Sequence, residues 1–168
     1  MKELLTATLL TLSCAAFPQE VHQHSSQAKS AALSDEEIEH YRAGAGMGYA
    51  KAAELNRYPG PMHVLELAAQ LDLDAEQRIA AERLMKEHKA EARAIGERLV
   101  ESERELEALF RAGEVDEAGL ARAVRAAAAL RGEYRLSHLE THRRMRGLLT
   151  EEQIARYDRL RGNAAHKH

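Results

Sequence analysis

The chain of 168 residues has no tryptophan, only two phenylalanines and a single cysteine. Valine and isoleucine are scarce too. So few aromatic and β-branched residues exclude a β-sheet core. The lone cysteine, Cys14, excludes an internal disulfide. A formal net charge of −3 provides no basic footprint, so no nucleic-acid partner is expected. The arginines between Arg143 and Arg161 read as a solvated helix face. Neither GxxxxGK[ST] nor GxGxxG occurs, so there is no phosphate loop. No Ser/His/Asp set has a strand-turn setting, and no cysteine is placed to act as a nucleophile. We therefore expect no enzyme and no required cofactor.

What is abundant is Ala, Leu, Glu and Arg, in a chain that is 30% charged. That is a helix-forming composition. The expected fold class is all-α, a long antiparallel helical hairpin with shorter flanking helices.

Residues 1–16 read as a secretory signal: Lys2, a short apolar core from Leu4 to Leu12, then small residues. This implies export to the periplasm, with cleavage after Ala15 or Ala16. Cys14 opens a lipid-anchored alternative. Residues 17–33 read as a flexible linker, and residues 163–168 as a histidine-containing tail. His22, His24, His166 and His168 are read as ordinary tail residues, with weak chelation as the alternative.

Ser34 starts the first helix, with Glu37 at the capping-box position. That helix is expected to run towards Asn56, with Gly44, Gly46 and Gly48 giving close packing or a kink. Asn56 to Pro61 is a break. A short helix from Met62 to Leu71 follows. Asp74 and Thr150 are further N-caps, with Gln77 and Gln153 three residues on.

Between those two starts lie two apolar seams in alternating steps of three and four. One reads Ala81, Met85, His88, Ala92, Ile95, Leu99, Ser102, Leu106, Leu109. The other reads Leu120, Val124, Ala127, Arg131, Tyr134, His138, Thr141, Met145, Leu148. Gly113 and Asp116 mark the turn between them. The hairpin is Ala75–Ala112 against Asp116–Leu148, and Ile154, Tyr157 and Leu160 of a last helix pack back onto it.

At equal rise, a turn near Glu114 puts position 88 opposite about 140. Met85, His88, His138, His142 and Met145 then share one level of the stem. Imidazole and thioether donors suit zinc, copper, nickel or cobalt. His138 and His142 stand one turn apart, where both can reach one ion. The competing reading is satisfied core histidines with methionine as filler.

The elements Leu73-Asp74-x-x-Gln77 and Leu149-Thr150-x-x-Gln153 resemble the LTxxQ motifs of the Spy/CpxP family, as do the signal and the hairpin between them. The resemblance spans roughly Ser34 to Gly162. It implies a periplasmic, all-helical protein, several relatives being dimeric cradles. It also implies an ATP-independent chaperone or accessory binding protein of envelope stress, with unfolded or envelope proteins as clients. The alternative on the same fold is a heavy-metal sensor or metal-binding resistance protein. In those relatives His and Met from the helix before the last motif bind metal, the region that His138 and His142 occupy here. This chain has one histidine, His40, in its first helix where those sensors have a pair. A structural envelope lipoprotein, hanging on Cys14, is a third reading.

Overall fold

The computed structural model describes residues 32–113 and 115–162. Cys14, the signal, the tail histidines and most of the linker lie outside the described residues. Among the described residues six helices follow one another: α1 Asp35–Ala43, α2 Lys51–Glu54, α3 Pro61–Glu66, α4 Ala75–Ala112, α5 Glu117–Gly147 and α6 Glu151–Leu160. There is no strand among the described residues.

The long helices form the expected antiparallel pair, with α1 against α4 and α3 against both. Gly113 closes α4 in the left-handed region (φ 72). The Asp116 side chain caps α5 through the Gly119 N–H. Ion pairs tie the two helices across the stem: Glu87–Arg144 at 2.9 Å, Arg98–Glu133 at 3.2 Å and Glu103–Arg131 at 2.9 Å.

α1 begins with a complete Ser34/Glu37 capping box. Leu33 and Ile38 flank the cap as a hydrophobic staple and both enter the core. The helix does not continue to Asn56. It stops at Ala43, because Gly44 turns left-handed (φ 67) and the Ala45 N–H caps back to the His40 carbonyl. The glycine triplet is therefore a loop. The Tyr134 hydroxyl holds that loop on α5 by donating to the Ala45 carbonyl at 2.7 Å. α3 is also shorter than expected: irregular turns follow Glu66 and end at Asp72, which is left-handed (φ 51).

Two apolar clusters fill the stem. The upper one joins Leu33, Ile38 and Tyr41 to Ala92, Ile95, Leu99, Val100, Leu130 and Tyr134. Gly96 allows it: a Cβ there would collide with the Tyr41 carbonyl, so α1 lies directly on α4. The lower cluster joins Val64, Leu71, Ala81, Leu84, Met145 and Tyr157.

Two seam positions, Arg131 and Val124, and Leu160 of the last helix differ from expectation. Leu130 rather than Arg131 enters the core, and the half-exposed Arg131 pairs across the stem with the buried Glu103. Val124 and Leu160 are exposed, since each lies where no further element covers its helix. Leu84, absent from the counted seam, is buried.

Below the lower cluster the two motif helices start side by side. Both are closed by full capping boxes, Asp74 with Gln77 and Thr150 with Gln153. Leu73 and Leu149, just before the caps, pack on the lower cluster. The paired glutamines also join each other. Gln77 Nε2 donates to Gln153 Oε1 at 2.9 Å, and Gln153 Nε2 donates back to Gln77 Oε1 at 2.8 Å.

Candidate functional site

His88, His138 and His142 lie in the gap between the two apolar clusters. They line a cleft of about 480 Å³ together with Met85, the glycine loop and the start of α3. The sequence register set His88 opposite position 140. In the structure its ring meets His138, centroids 4.5 Å apart and nearly perpendicular.

The two α5 histidines are fixed in the same way. His138 Nδ1 lies 2.8 Å from the Tyr134 carbonyl oxygen. His142 Nδ1 lies 2.8 Å from the Tyr58 carbonyl oxygen. A carbonyl only accepts, so each Nδ1 must carry the proton and donate. In the neutral ring this leaves Nε2 as the lone-pair nitrogen. A backbone acceptor on one ring nitrogen is the arrangement that orients histidine for a metal at the other.

His138 is 3% exposed, and its Nε2 has no hydrogen-bond partner among the described residues. The Ala45 carbonyl beside it accepts from Tyr134. His88 Nδ1 is likewise buried without a partner among the described residues. An unmatched buried polar atom costs about 1–3 kcal/mol, which a ligand at that atom would recover. Burial keeps both rings neutral. It pushes His88 down to about 4, with like-charge repulsion from His138 and His142 adding to the effect. Burial also pushes His138 below its ordinary value, against the opposing Tyr134 hydrogen bond. Neutral imidazoles are the metal-binding form.

His142 lies under a strap, residues 56–61. Arg57 anchors the strap to α6 through Asp158, 3.0 Å from Nε to Oδ2. The Arg146 guanidinium covers the Tyr58 ring at 5.2 Å. Gly60 packs against the Cε1–Nε2 edge of the His142 ring. A Cβ there would stand 2.8 Å from both Cε1 and Nε2 of His142, so a side chain at this position would push the ring aside.

Of the five residues expected to converge, Met85, His88, His138 and His142 line one cleft. Met145 does not. It is fully buried in the lower cluster beside Leu84 and Tyr157, because its position on α5 faces the α3–α6 side. Among the described residues no three His, Cys, Asp or Glu side chains already stand as a ligand set. An ion on His138 and His142 would take further donors from methionine, or from a turn of the His88 ring. His40 stays outside the cleft, 4.0 Å from Glu36 on α1.

Sequence reasoning missed Met47, Gly60, Met62 and His63 at this cleft. The turn chemistry at Asn56–Pro61 marked a break, but not what the break would cover. Met47 carries one further local signal. Its φ is 42, between Gly46 and Gly48, in a region that costs a side chain about 1 kcal/mol or more.

The fold is thus a helical hairpin whose open end is locked by two capping-box motifs of one pattern. The chain belongs to the LTXXQ motif family: the model for LTXXQ motif family proteins matches residues 60–161. This agrees with the Spy/CpxP-like resemblance of the two motifs. The match begins at Gly60, so α1 and the glycine loop lie outside it. Comparisons with curated proteins and with solved structures find no match.

Proposed function

We propose that this chain is a periplasmic metal-binding protein of the LTXXQ family, a sensor or scavenger rather than an enzyme. It takes a transition-metal ion in the cleft between its two apolar clusters. One observation carries the reading. His138 and His142 stand one turn apart, each with Nδ1 committed to a backbone carbonyl and Nε2 left over. A satisfied core histidine has both nitrogens matched, and among the described residues His138 does not. The residues thus fit an ion that supplies Lewis acidity to nitrogen lone pairs. His138 and His142 hold it, with His88 and Met85 in reach of the same space.

Calorimetry and thermal melting with zinc, copper, nickel and cobalt test this directly. One ion should bind per chain and raise the melting temperature, since binding only the folded state stabilises it. His138→Ala and His142→Ala should each weaken binding strongly. Loss of His166 and His168 should matter little. A wild-type melt indifferent to all four ions refutes the reading.

A chaperone role is the second reading. Ile79, Phe110, Val124 and Leu136 are exposed on the long helices, and apolar surface is what a client would meet. Ile79 and Phe110 lie roughly 46 Å apart along α4 at 1.5 Å per residue. A client would therefore engage the stem along its length rather than at one patch. Suppressed aggregation of several unrelated proteins without ATP supports this role, and unchanged light scattering removes it.

A further inference from the structure

Three of the five methionines, Met47, Met62 and Met85, line the histidine cleft. They come from three separate segments: the glycine loop, α3 and α4. Two of these segments were not part of the seam that places the histidines. Met47 is held left-handed (φ 42) with glycine on both sides. A third glycine would relax that backbone, so the side chain is kept at the expense of its conformation. Met47 and Met62 are 38% and 49% exposed at the cleft mouth, where polar residues would be better solvated.

The donors facing this space are imidazole nitrogens and thioether sulfurs, with Glu54 the one carboxylate among the described lining residues. Glu54 and Lys89 also line the cleft, one acid against one base, and leave no net negative charge. A divalent ion brought among neutral donors keeps both its charges uncompensated. A soft monovalent ion brings one, and thioether sulfur selects it over zinc, nickel and cobalt. His138 Nε2, 3% exposed and without a partner among the described residues, is the buried anchor.

Building on the cleft as a metal site, we propose that its ion is soft and monovalent. That ion is Cu(I), with Met47 and Met62 serving as donors that admit and select it. The ion binds already reduced, so no electron transfer is part of the step.

The test is anaerobic competition of the full chain against a chromophoric Cu(I) chelator. Ag(I) serves as a redox-inert parallel, with Zn(II), Ni(II) and Co(II) beside them. One Cu(I) and one Ag(I) should bind, each more tightly than the three divalent ions. Met47→Leu and Met62→Leu should each weaken Cu(I) by about tenfold or more and leave the metal-free melting temperature in place. Met47→Gly should weaken Cu(I) while raising the metal-free melting temperature, a combination that a packing role does not give. If the divalent ions bind as tightly and the methionine variants change nothing, the Cu(I) assignment falls while the histidine site stands. If no ion binds, both fall. Cu(I) binding that survives His138→Ala but disappears with His166 and His168 assigns the ion to the tail and overturns the proposal.

Discussion

The side-chain amides of Gln77 and Gln153 donate to each other's oxygens, at 2.9 and 2.8 Å, and so join the starts of α4 and α6. Each oxygen also accepts the N–H of its own cap, Asp74 or Thr150. Each nitrogen also donates to a carbonyl beside the other motif, Leu148 for Gln77 and Leu71 for Gln153. An amide offers two donors and two acceptors, and both glutamines use all four. That accounts for glutamine at this position, since glutamate has the same shape but no donor.

Gln77→Ala and Gln153→Ala should each destabilise the fold by about 1–3 kcal/mol, because each strands its partner's amide. The double variant should cost less than the two single losses together. Gln153→Glu should fare no better than Gln153→Ala. Urea denaturation measures all of these, and strictly additive losses would show that the amides act only as separate caps.

Gly96→Ala should separate α1 from α4. The added Cβ meets backbone, the Tyr41 carbonyl, which cannot swing away as a side chain can. A loss of about 1–3 kcal/mol is expected, as for overpacking elsewhere. Faster hydrogen exchange at the Tyr49 and Ala45 amides should accompany it, with the motif end unchanged. Unaltered stability would mean that α1 is not seated on α4.

Acid should weaken the metal-free fold before the carboxylates titrate. The unfolded histidine value is about 6.5. Burial holds His88 near 4 in the folded chain and pushes His138 down as well. Over that window the unfolded chain binds more protons, so stability rises with pH and is lost as pH falls from about 6.5 towards 4. His88 alone should account for about 2 kcal/mol, allowing for solvent at its edge. Urea midpoints between pH 7.5 and 4.5 measure the slope. His88→Phe should flatten it, and an unchanged slope in that variant would assign the acid sensitivity elsewhere.

Export should remove residues up to about Ala16, by the signal pattern of the sequence. Intact mass of the protein from its native host measures this. A soluble form that keeps Met1 to Ala16 contradicts it, and lipid labelling that Cys14→Ser abolishes supports the anchored form.

The hairpin and its caps were legible because they are local. Ser34, Asp74 and Thr150 act within four residues of themselves, and a period of three and four needs no knowledge of the partner. The register was legible to within a turn, since His88 meets position 138 rather than 140. What the sequence hid depends on distant chain. Whether Gly44 ends a helix or packs inside one is decided by Tyr134, ninety residues on, which holds the following loop. The strap over His142 needs Arg57 to find Asp158. Met145 shares a seam with His138, yet α3 and α6 claim it for the lower cluster.

The most direct measurement is side-chain nitrogen NMR of the histidines with one equivalent of a diamagnetic ion, Ag(I) or Zn(II). Nitrogen shifts distinguish a protonated, a lone-pair and a metal-bound ring nitrogen. Before the ion is added, His138 and His142 should both show protonated Nδ1 and free Nε2. With it, both Nε2 signals should move to metal-bound values while both Nδ1 protons remain on their carbonyls. Shifts confined to the tail histidines, or no shift at His138, would contradict a metal site in the cleft.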